Sequence, residues 1–423
     1  MKKILSIIFI ITFVFASISM ADSITATSLG NPTMLLNDTS IISTYPGALQ
    51  MFPNAIWANI SKTNTSGIST YSLGVAYVAN DMIGLLVNYI DADVTNSYPN
   101  PTNGPYQILL NQHIVMAYGA KLGNLYVGAM MVNSLADTNF STKTIDSNTK
   151  EVRTATNWSG LKTSLKPSAV LDMDQLKVYG TLNLDLNATK YSMFSNHKTN
   201  EVTVTPDLLE SVGVSALAAY ELNDKTTAGL SLKLSSDNMG YNVKAETNMG
   251  TTAYDSNYID SSFDASAVLG FSIAANDTVT LFFDLPFGMK ITPTAYWKGS
   301  SQMNDTTTTL YTLPTPKMGA QFQIIKNVKF RVSATPTWTR TVVAPSDYDK
   351  ITPTGTKKVS DAYDLATDLG LGVKLGQFYI NGIVNANTFT DAFQKPASLL
   401  GGIITSASGA VTILTSLQIN YVF

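Results

Sequence analysis

Along most of this chain apolar residues return at every second position. Thr181, Asn183 and Asp185 alternate with Leu182, Leu184 and Leu186, and Lys329, Arg331, Ser333, Thr335 and Thr337 alternate with Phe330, Val332, Ala334, Pro336 and Trp338. The same holds for Phe263, Ala265, Ala267, Leu269, Phe271 and Ile273 against Asp264, Ser266 and Ser272, and for Leu369, Leu371, Val373 and Leu375 against Gly370, Gly372 and Lys374. A period of two predicts strands with one greasy and one polar face. Such a strand rises about 34 Å over about ten residues, and a tilt near 45° reduces that to roughly 24 Å, enough to cross the apolar layer of a membrane. The chain closes on the same pattern. Val411, Ile413, Thr415, Leu417, Ile419, Tyr421 and Phe423 share one face, while Thr412, Leu414, Ser416, Gln418, Asn420 and Val422 share the other.

The connections between these strands alternate in length. Short turns fall near Asn80-Asp81, Gly123-Asn124, Met173-Asp174, Asn223-Asp224-Lys225, Asn276-Asp277, Asn327 and Gly376-Gln377, where Asn, Asp and Gly tolerate the positive φ of tight hairpins. Polar stretches at 92–111, 134–157, 189–210, 237–261, 292–316, 342–365 and 390–409 read as long loops. Short-long alternation gathers all the long loops at one end of a closed sheet, as in transmembrane barrels with short periplasmic turns. The expected fold is therefore all-β: an antiparallel up-and-down transmembrane barrel of 14–16 strands over residues 55–423, sixteen if 55–60 and 71–79 form a pair.

Composition strengthens this reading. Asp, Glu, Lys and Arg make up only 13% of the chain, against about a quarter in an ordinary soluble protein. A net charge of −3 gives no support for nucleic-acid binding. Lys2 and Lys3 precede the apolar run Ile4 to Phe15 and a small-x-small site, Ser19-Met20-Ala21, so residues 1–21 are expected to be a cleaved signal peptide. No later stretch approaches the roughly 20 apolar residues of a spanning helix. With no cysteine, disulfides, thiolate metal sites and lipid modification of the amino terminus are excluded.

Residues 22–54 do not read as a strand. Ser28-Leu29-Gly30-Asn31-Pro32, Leu36-Asn37-Asp38-Thr39 and Thr44-Tyr45-Pro46-Gly47-Ala48-Leu49 are dense in turn formers. The order small-Leu-Gly, then Asp after a short apolar run, then Pro-Gly-Ala-Leu before the first strand resembles the amino-terminal plug of the FadL-type long-chain fatty acid transporters of the outer membrane and their PorV-like relatives. Tyr45-Pro46-Gly47 stands where that family typically has Asn-Pro-Ala. The closing strand, with Ile419, Tyr421 and a terminal Phe423, resembles the signal read by the barrel assembly machinery. The resemblance implies a plugged barrel of fourteen strands in the outer membrane of a Gram-negative-type bacterium, in contact with lipid, with a hydrophobic solute as its cargo. Gly30, Asp38, Pro46 and Gly47 are the plug residues it points to. Other members of the superfamily are non-transporting shuttle components of a secretion system, and that alternative stays open beside a general porin.

Candidate chemistry is thin. His113, at the loop end of a strand, and His197, in a long loop, form no visible dyad or triad and read as solvated histidines, so neither an enzyme nor a metal centre is expected. No phosphate-binding glycine motif is present, and no cofactor is expected. Alternation puts Lys177, Asp185, Lys233, Asp264, Asp284, Lys329, Arg331 and Lys374 opposite the apolar faces, hence in the lumen, together with Gln418 and Asn420. Trp297 and Trp338, with Tyr296, are expected at the loop-side membrane interface, and Tyr421 and Phe423 at the turn side. Gly84 is a candidate kink in the wall. The solute and the oligomeric state are not legible.

Overall fold

The computed structural model describes residues 28–422 apart from positions 30, 37, 39, 53, 63–68, 80–82, 99–105, 146–150, 196–199, 239–240, 248–251, 299–300, 346–356 and 385–413. The expected signal peptide, Gly30, the turn at Asn80-Asp81, His197, the stretch 390–409 and Phe423 lie outside the described residues. After a one-turn helix α1 (Ile41–Thr44) and a 3-10 helix (Pro46–Met51), the first strands are β1 (Ala55–Lys62), β2 (Ser69–Ala79), β3 (Ile83–Tyr98), β4 (Tyr106–Leu122), β5 (Leu125–Ile145) and β6 (Glu151–Met173). Next come β7 (Leu176–Ser195), β8 (Asn200–Pro206), β9 (Leu209–Asn223), β10 (Thr226–Asn238), β11 (Tyr241–Thr247) and β12 (Thr252–Asn276). The chain ends with β13 (Val279–Lys298), β14 (Ser301–Leu313), β15 (Lys317–Ile325), β16 (Val328–Pro345), β17 (Lys358–Leu375), β18 (Phe378–Val384) and β19 (Leu414–Val422).

Every pairing among the described residues is antiparallel, and β19 closes onto β1, with Val422 opposite Ala55. Three barrel strands are built from two segments each. β8 and β9 both lie along β7, β10 and β11 both lie along β12, and β14 and β15 both lie along β13. The break between β14 and β15 is Pro314-Thr315-Pro316, two residues without the N–H that a ladder needs. Counted this way the closed barrel has sixteen strands among the described residues. The hairpin of β1 with β2 is real, so the count exceeds the fourteen that the FadL-type resemblance implied.

The side chains divide as the period of two requires. Val212 and Val214 on β9, Leu230, Leu232 and Leu234 on β10, and Leu365, Leu371 and Leu375 on β17 are all exposed outside, while Ser215, Asp284, Arg331, Ser333 and Gln418 are buried inside. Rows of exposed leucine over a polar interior are the inverse of a soluble barrel and match a wall facing lipid. The chain is thus a transmembrane barrel of the outer-membrane kind. On β19, Ile419 faces outward and Gln418 inward. Tyr77, Tyr118, Tyr220 and Phe378 lie exposed toward the short-turn end, where the rings of Phe378 and Tyr421 stand 4.8 Å apart. Trp338 lies opposite Tyr363, both exposed. The side chains of Tyr296 and Trp297 are outside the described residues.

The long loops need correction. Tight turns occupy 123–124, 174–175, 224–225, 277–278, 326–327 and 376–377, but much of the polar stretches opposite them continues as strand. Thr306 to Thr309, read as loop, pairs with both Ile291–Thr294 and Val342–Pro345. The reason is composition: β-branched and aromatic residues keep a hairpin paired after it loses its apolar face. Cross-strand charge pairs help, as where Arg340 donates to Asp361 through Nε at 2.8 Å and Nη2 at 3.0 Å.

Two outcomes follow from this wall. Leu232→Lys places an ammonium against lipid and is expected to cost about 2–4 kcal/mol; Ser235→Lys, on the lumen face opposite Asp264, is expected to cost far less. Reversible denaturant unfolding into vesicles measures both, and equal costs would contradict the assigned faces. Tyr421→Ser, which removes the ring tilted against Phe378 and the hydroxyl that donates to Gln377 Oε1 at 2.7 Å, is expected to lower outer-membrane levels in fractionated cells.

Candidate functional site

Inside the barrel, the described residues between Ser28 and Phe52 lie against the inner wall. Local chemistry folds this leader: the Ser40 N–H donates to Asp38 Oδ1 at 2.9 Å just before α1, and Pro46 opens the 3-10 helix, where its missing N–H is no loss. Contact with the wall depends on missing side chains. Gly84, Gly119, Gly128 and Ser168 lie in one register row across β3, β4, β5 and β6. A Cβ on Gly128 would stand 2.8 Å from the backbone of Pro46 and Gly47, and one on Gly84 would stand 3.0 Å from Leu49 Cγ. The Gly47 N–H donates to Ser168 Oγ at 2.8 Å at the end of that row. Across the lumen, a Cβ on Gly229 would meet the end of Met34 at 2.6 Å, one on Gly319 would meet the Leu29 carbonyl at 2.5 Å, and one on Gly370 would collide with the Ser28 side chain. The leader therefore touches the wall on several sides.

Burial and hydrogen bonds hold it there. Ile42 and Leu49 pack with Ala76, Leu86, Val115, Ala117 and Met130, while Met34, Tyr45 and Ala48 pack with Val170, Tyr179, Leu217 and Ala219. Each large apolar side chain so buried contributes about 1.5–3 kcal/mol. Asp284 Oδ2 accepts from the Thr33 N–H at 2.7 Å and from Thr33 Oγ at 2.8 Å, and Lys166 Nζ donates to the Ser43 carbonyl at 3.2 Å. The Tyr45 and Tyr179 rings stand 5.3 Å apart, and burial pushes the Tyr45 hydroxyl up to about 12 against an opposing hydrogen bond with Ser231. At neutral pH Tyr45 is a neutral wedge.

The eight charged residues expected in the lumen all sit on inward positions, but the fold does not gather them into one place. Lys177 Nζ reaches Asp172 at 3.8 Å, and Asp185 Oδ2 accepts from Ser211 Oγ at 2.6 Å. Lys233 lies between Ser215 and Ser266 in register, and Asp264 lies opposite Lys290. Asp284 pins the leader. Lys329, Arg331 and Lys374 share a cavity of about 680 Å³ at the short-turn end. Asp38, Met34, Leu36 and Phe52 of the leader, Phe282, Asn381, Asn420 and Val422 also line it. Of the residues assigned to the leader, Pro46 and Gly47 seat on Gly128 and Ser168, and Asp38 faces this cavity. Gly84 is an accommodation for Leu49.

His113 is a correction. It is buried on the inner face of β4, with Nδ1 2.6 Å from Ser134 Oγ, because the long polar stretch that placed it near a loop is strand. Ser134, Lys162 and Asn187 follow in register, and both Lys162 and Asn187 bind Glu210, at 2.8 and 3.1 Å. This belt crosses the wall on the loop side of the glycine row. Sequence reasoning missed the row itself, although Gly119 and Gly128 flank the Gly123-Asn124 turn symmetrically and so had to face each other.

No protein-family model and no curated protein matches the chain. Among solved structures it is similar to a Pseudomonas aeruginosa FadL homologue, at 10% identity over 96% of this chain and 99% of that one, with a TM-score of 0.44. It is also similar to the CymD monoaromatic hydrocarbon channel, at 11% identity over 94% and 96%, with a TM-score of 0.38. A third, CdiB from Acinetobacter baumannii, is 11% identical over 88% of this chain and 60% of that one, with a TM-score of 0.40.

Asp284→Ala removes a charged acceptor from two hydrogen bonds, each worth about 1.5–3 kcal/mol. Amide exchange in peptides covering 28–36 is expected to accelerate at least tenfold while the gel mobility of the unheated barrel is unchanged. Unaltered exchange would show that Thr33 is not the anchor.

Proposed function

We propose that this protein is an outer-membrane channel for small hydrophobic solutes, such as long-chain fatty acids, with residues 22–54 acting as its plug. The reading rests on the leader: an apolar segment seated across the lumen of a barrel wide enough to leave an aqueous channel when unfilled. A general porin gains nothing from filling its lumen. A carrier of greasy solutes does, because Met34, Leu36, Phe52 and Phe282 give the remaining cavity an apolar side that a purely polar lumen lacks. Passage then requires the leader to shift on its glycine seat.

The test is conductance and uptake. The intact protein in planar bilayers is expected to pass little ion current, whereas Gly128→Val, which forces a side chain into the Pro46-Gly47 backbone, is expected to conduct at least tenfold more often. Vesicles carrying the intact protein are expected to accumulate a fluorescent fatty acid faster than empty ones, and faster than they accumulate a hydrophilic dye of similar size. Full conductance of the unaltered protein would make it a porin. A closed barrel that takes up neither probe and co-purifies with a larger complex would make it a platform.

A further inference from the structure

The cavity at the short-turn end carries more charge than a hydrophobic solute requires. Lys329, Arg331 and Lys374 line it, Lys326 stands at its mouth in the turn, and Asp38 is the one carboxylate among its described lining residues. Arg331 is fixed in place: its Nε donates to Gln321 Oε1 and its Nη1 to Asn381 Oδ1, both at 3.1 Å. Its guanidinium lies over Gly372, where a Cβ would come 3.0 Å from both terminal nitrogens. Register sets Lys329 opposite Gly372, two residues from Lys374 on the same inner face and two from Arg331 along its own strand. Among the described residues neither Lys329 nor Lys374 forms a salt bridge. Clustered cations that repel one another are costly to hold together in a wall unless an anion offsets them.

A second observation concerns the amides beside them. Asn420 lines the same cavity and its buried Oδ1 has no hydrogen-bond partner; on the same inner face of β19, Gln418 is 3% exposed with Oε1 likewise unpartnered. Register places Gln418 opposite Asn381, the residue that holds Arg331, and Asn420 opposite Tyr379, over whose ring Lys374 Nζ stands at 4.9 Å. Both orphaned atoms are acceptors, so they ask for a donor on the ligand, a hydroxyl or a protonated acid group, while the cations beside them take its charged oxygens. One carboxylate neutralises one cation; three inward cations with Asp38 opposite them call for a dianion or more.

We propose that this cavity is a binding site for a small soluble polyanion entering from the periplasm, a phosphate ester or polycarboxylate, and that Asp38 competes for it. The volume is that of an ordinary small-ligand site. The site depends on the channel reading only for which end faces the periplasm, so a barrel that carries no solute can still hold the anion.

Calorimetric titration of the full-length protein in dodecyl maltoside with sodium pyrophosphate tests this without any transport. Saturable one-to-one binding is expected, falling steeply with added salt. Lys329→Gln with Lys374→Gln is expected to weaken it at least tenfold, Lys329→Arg with Lys374→Arg to retain it, and Asp38→Asn to tighten it several-fold. Laurate and glucose are expected not to compete. Absence of saturable heat overturns the proposal, as does unchanged affinity in the double glutamine variant with native gel mobility. Displacement of pyrophosphate by phosphatidylglycerol-doped micelles overturns the soluble ligand and assigns the site to a lipid headgroup.

Discussion

Backbone against backbone, without side chains between, is the contact on which this interior depends. At Gly128 a single methyl-sized addition would occupy the space where Pro46 joins Gly47. The same closeness recurs at Gly319 with the Leu29 carbonyl, on a strand far from β5 around the barrel, while at Gly229 the space is taken by the end of the Met34 side chain. Close approach of this kind excludes water from the peptide groups it covers, which then need internal partners. Ser168 supplies one for Gly47, and Asp284 another for Thr33. Glycine rows and polar pins are therefore two halves of one arrangement. The rows let the leader come close, and the pins keep its backbone satisfied once it is there.

That arrangement also explains where the apolar core lies. A transmembrane barrel cannot bury its own greasy face, since lipid covers it, so dispersion and apolar burial within the protein come from whatever fills the lumen. Leu29, Ile42, Ala48 and Leu49 are almost fully buried, and their partners Leu86, Val115, Val170 and Leu217 are inward residues that depart from the polar rule of the lumen. They depart from it only where the leader sits. Above that level the wall reverts to Ser134, Lys162, Asn187 and Glu210, and below it to the cations of the short-turn cavity.

Much of the fold was legible because strand alternation is local. Thr181 against Leu182, or Arg331 against Val332, fixes a face without knowledge of any other strand, and the Gly123-Asn124 and Gly376-Gln377 turns fix where the next one begins. The length of the hairpins was not legible, because Thr306 to Thr309 has strand propensity and no apolar face, a combination that a polar loop shares. The site was legible only as a set of inward positions. Which of them meet depends on register around a closed sheet, and register is what brought Lys329 to Lys374, and His113 to Ser134, from separate strands. Charge alone carried no information on that point.

Register also decides what a charge in the lumen means. Lys162 and Glu210 lie on separate strands, yet at 2.8 Å they neutralise each other, and Asn187 completes the carboxylate. Such pairs close a lumen by their own attraction and ask for no ligand. Lys329, Arg331 and Lys374 sit at the opposite level with like sign on adjoining strands, and the one carboxylate among the described residues lining their cavity belongs to the leader. A wall can tolerate that excess only while Asp38 stays near or something takes its place. The sign of the charge at the short-turn end thus couples the position of the leader to the occupancy of the cavity, and a shift of the leader in either direction changes both together.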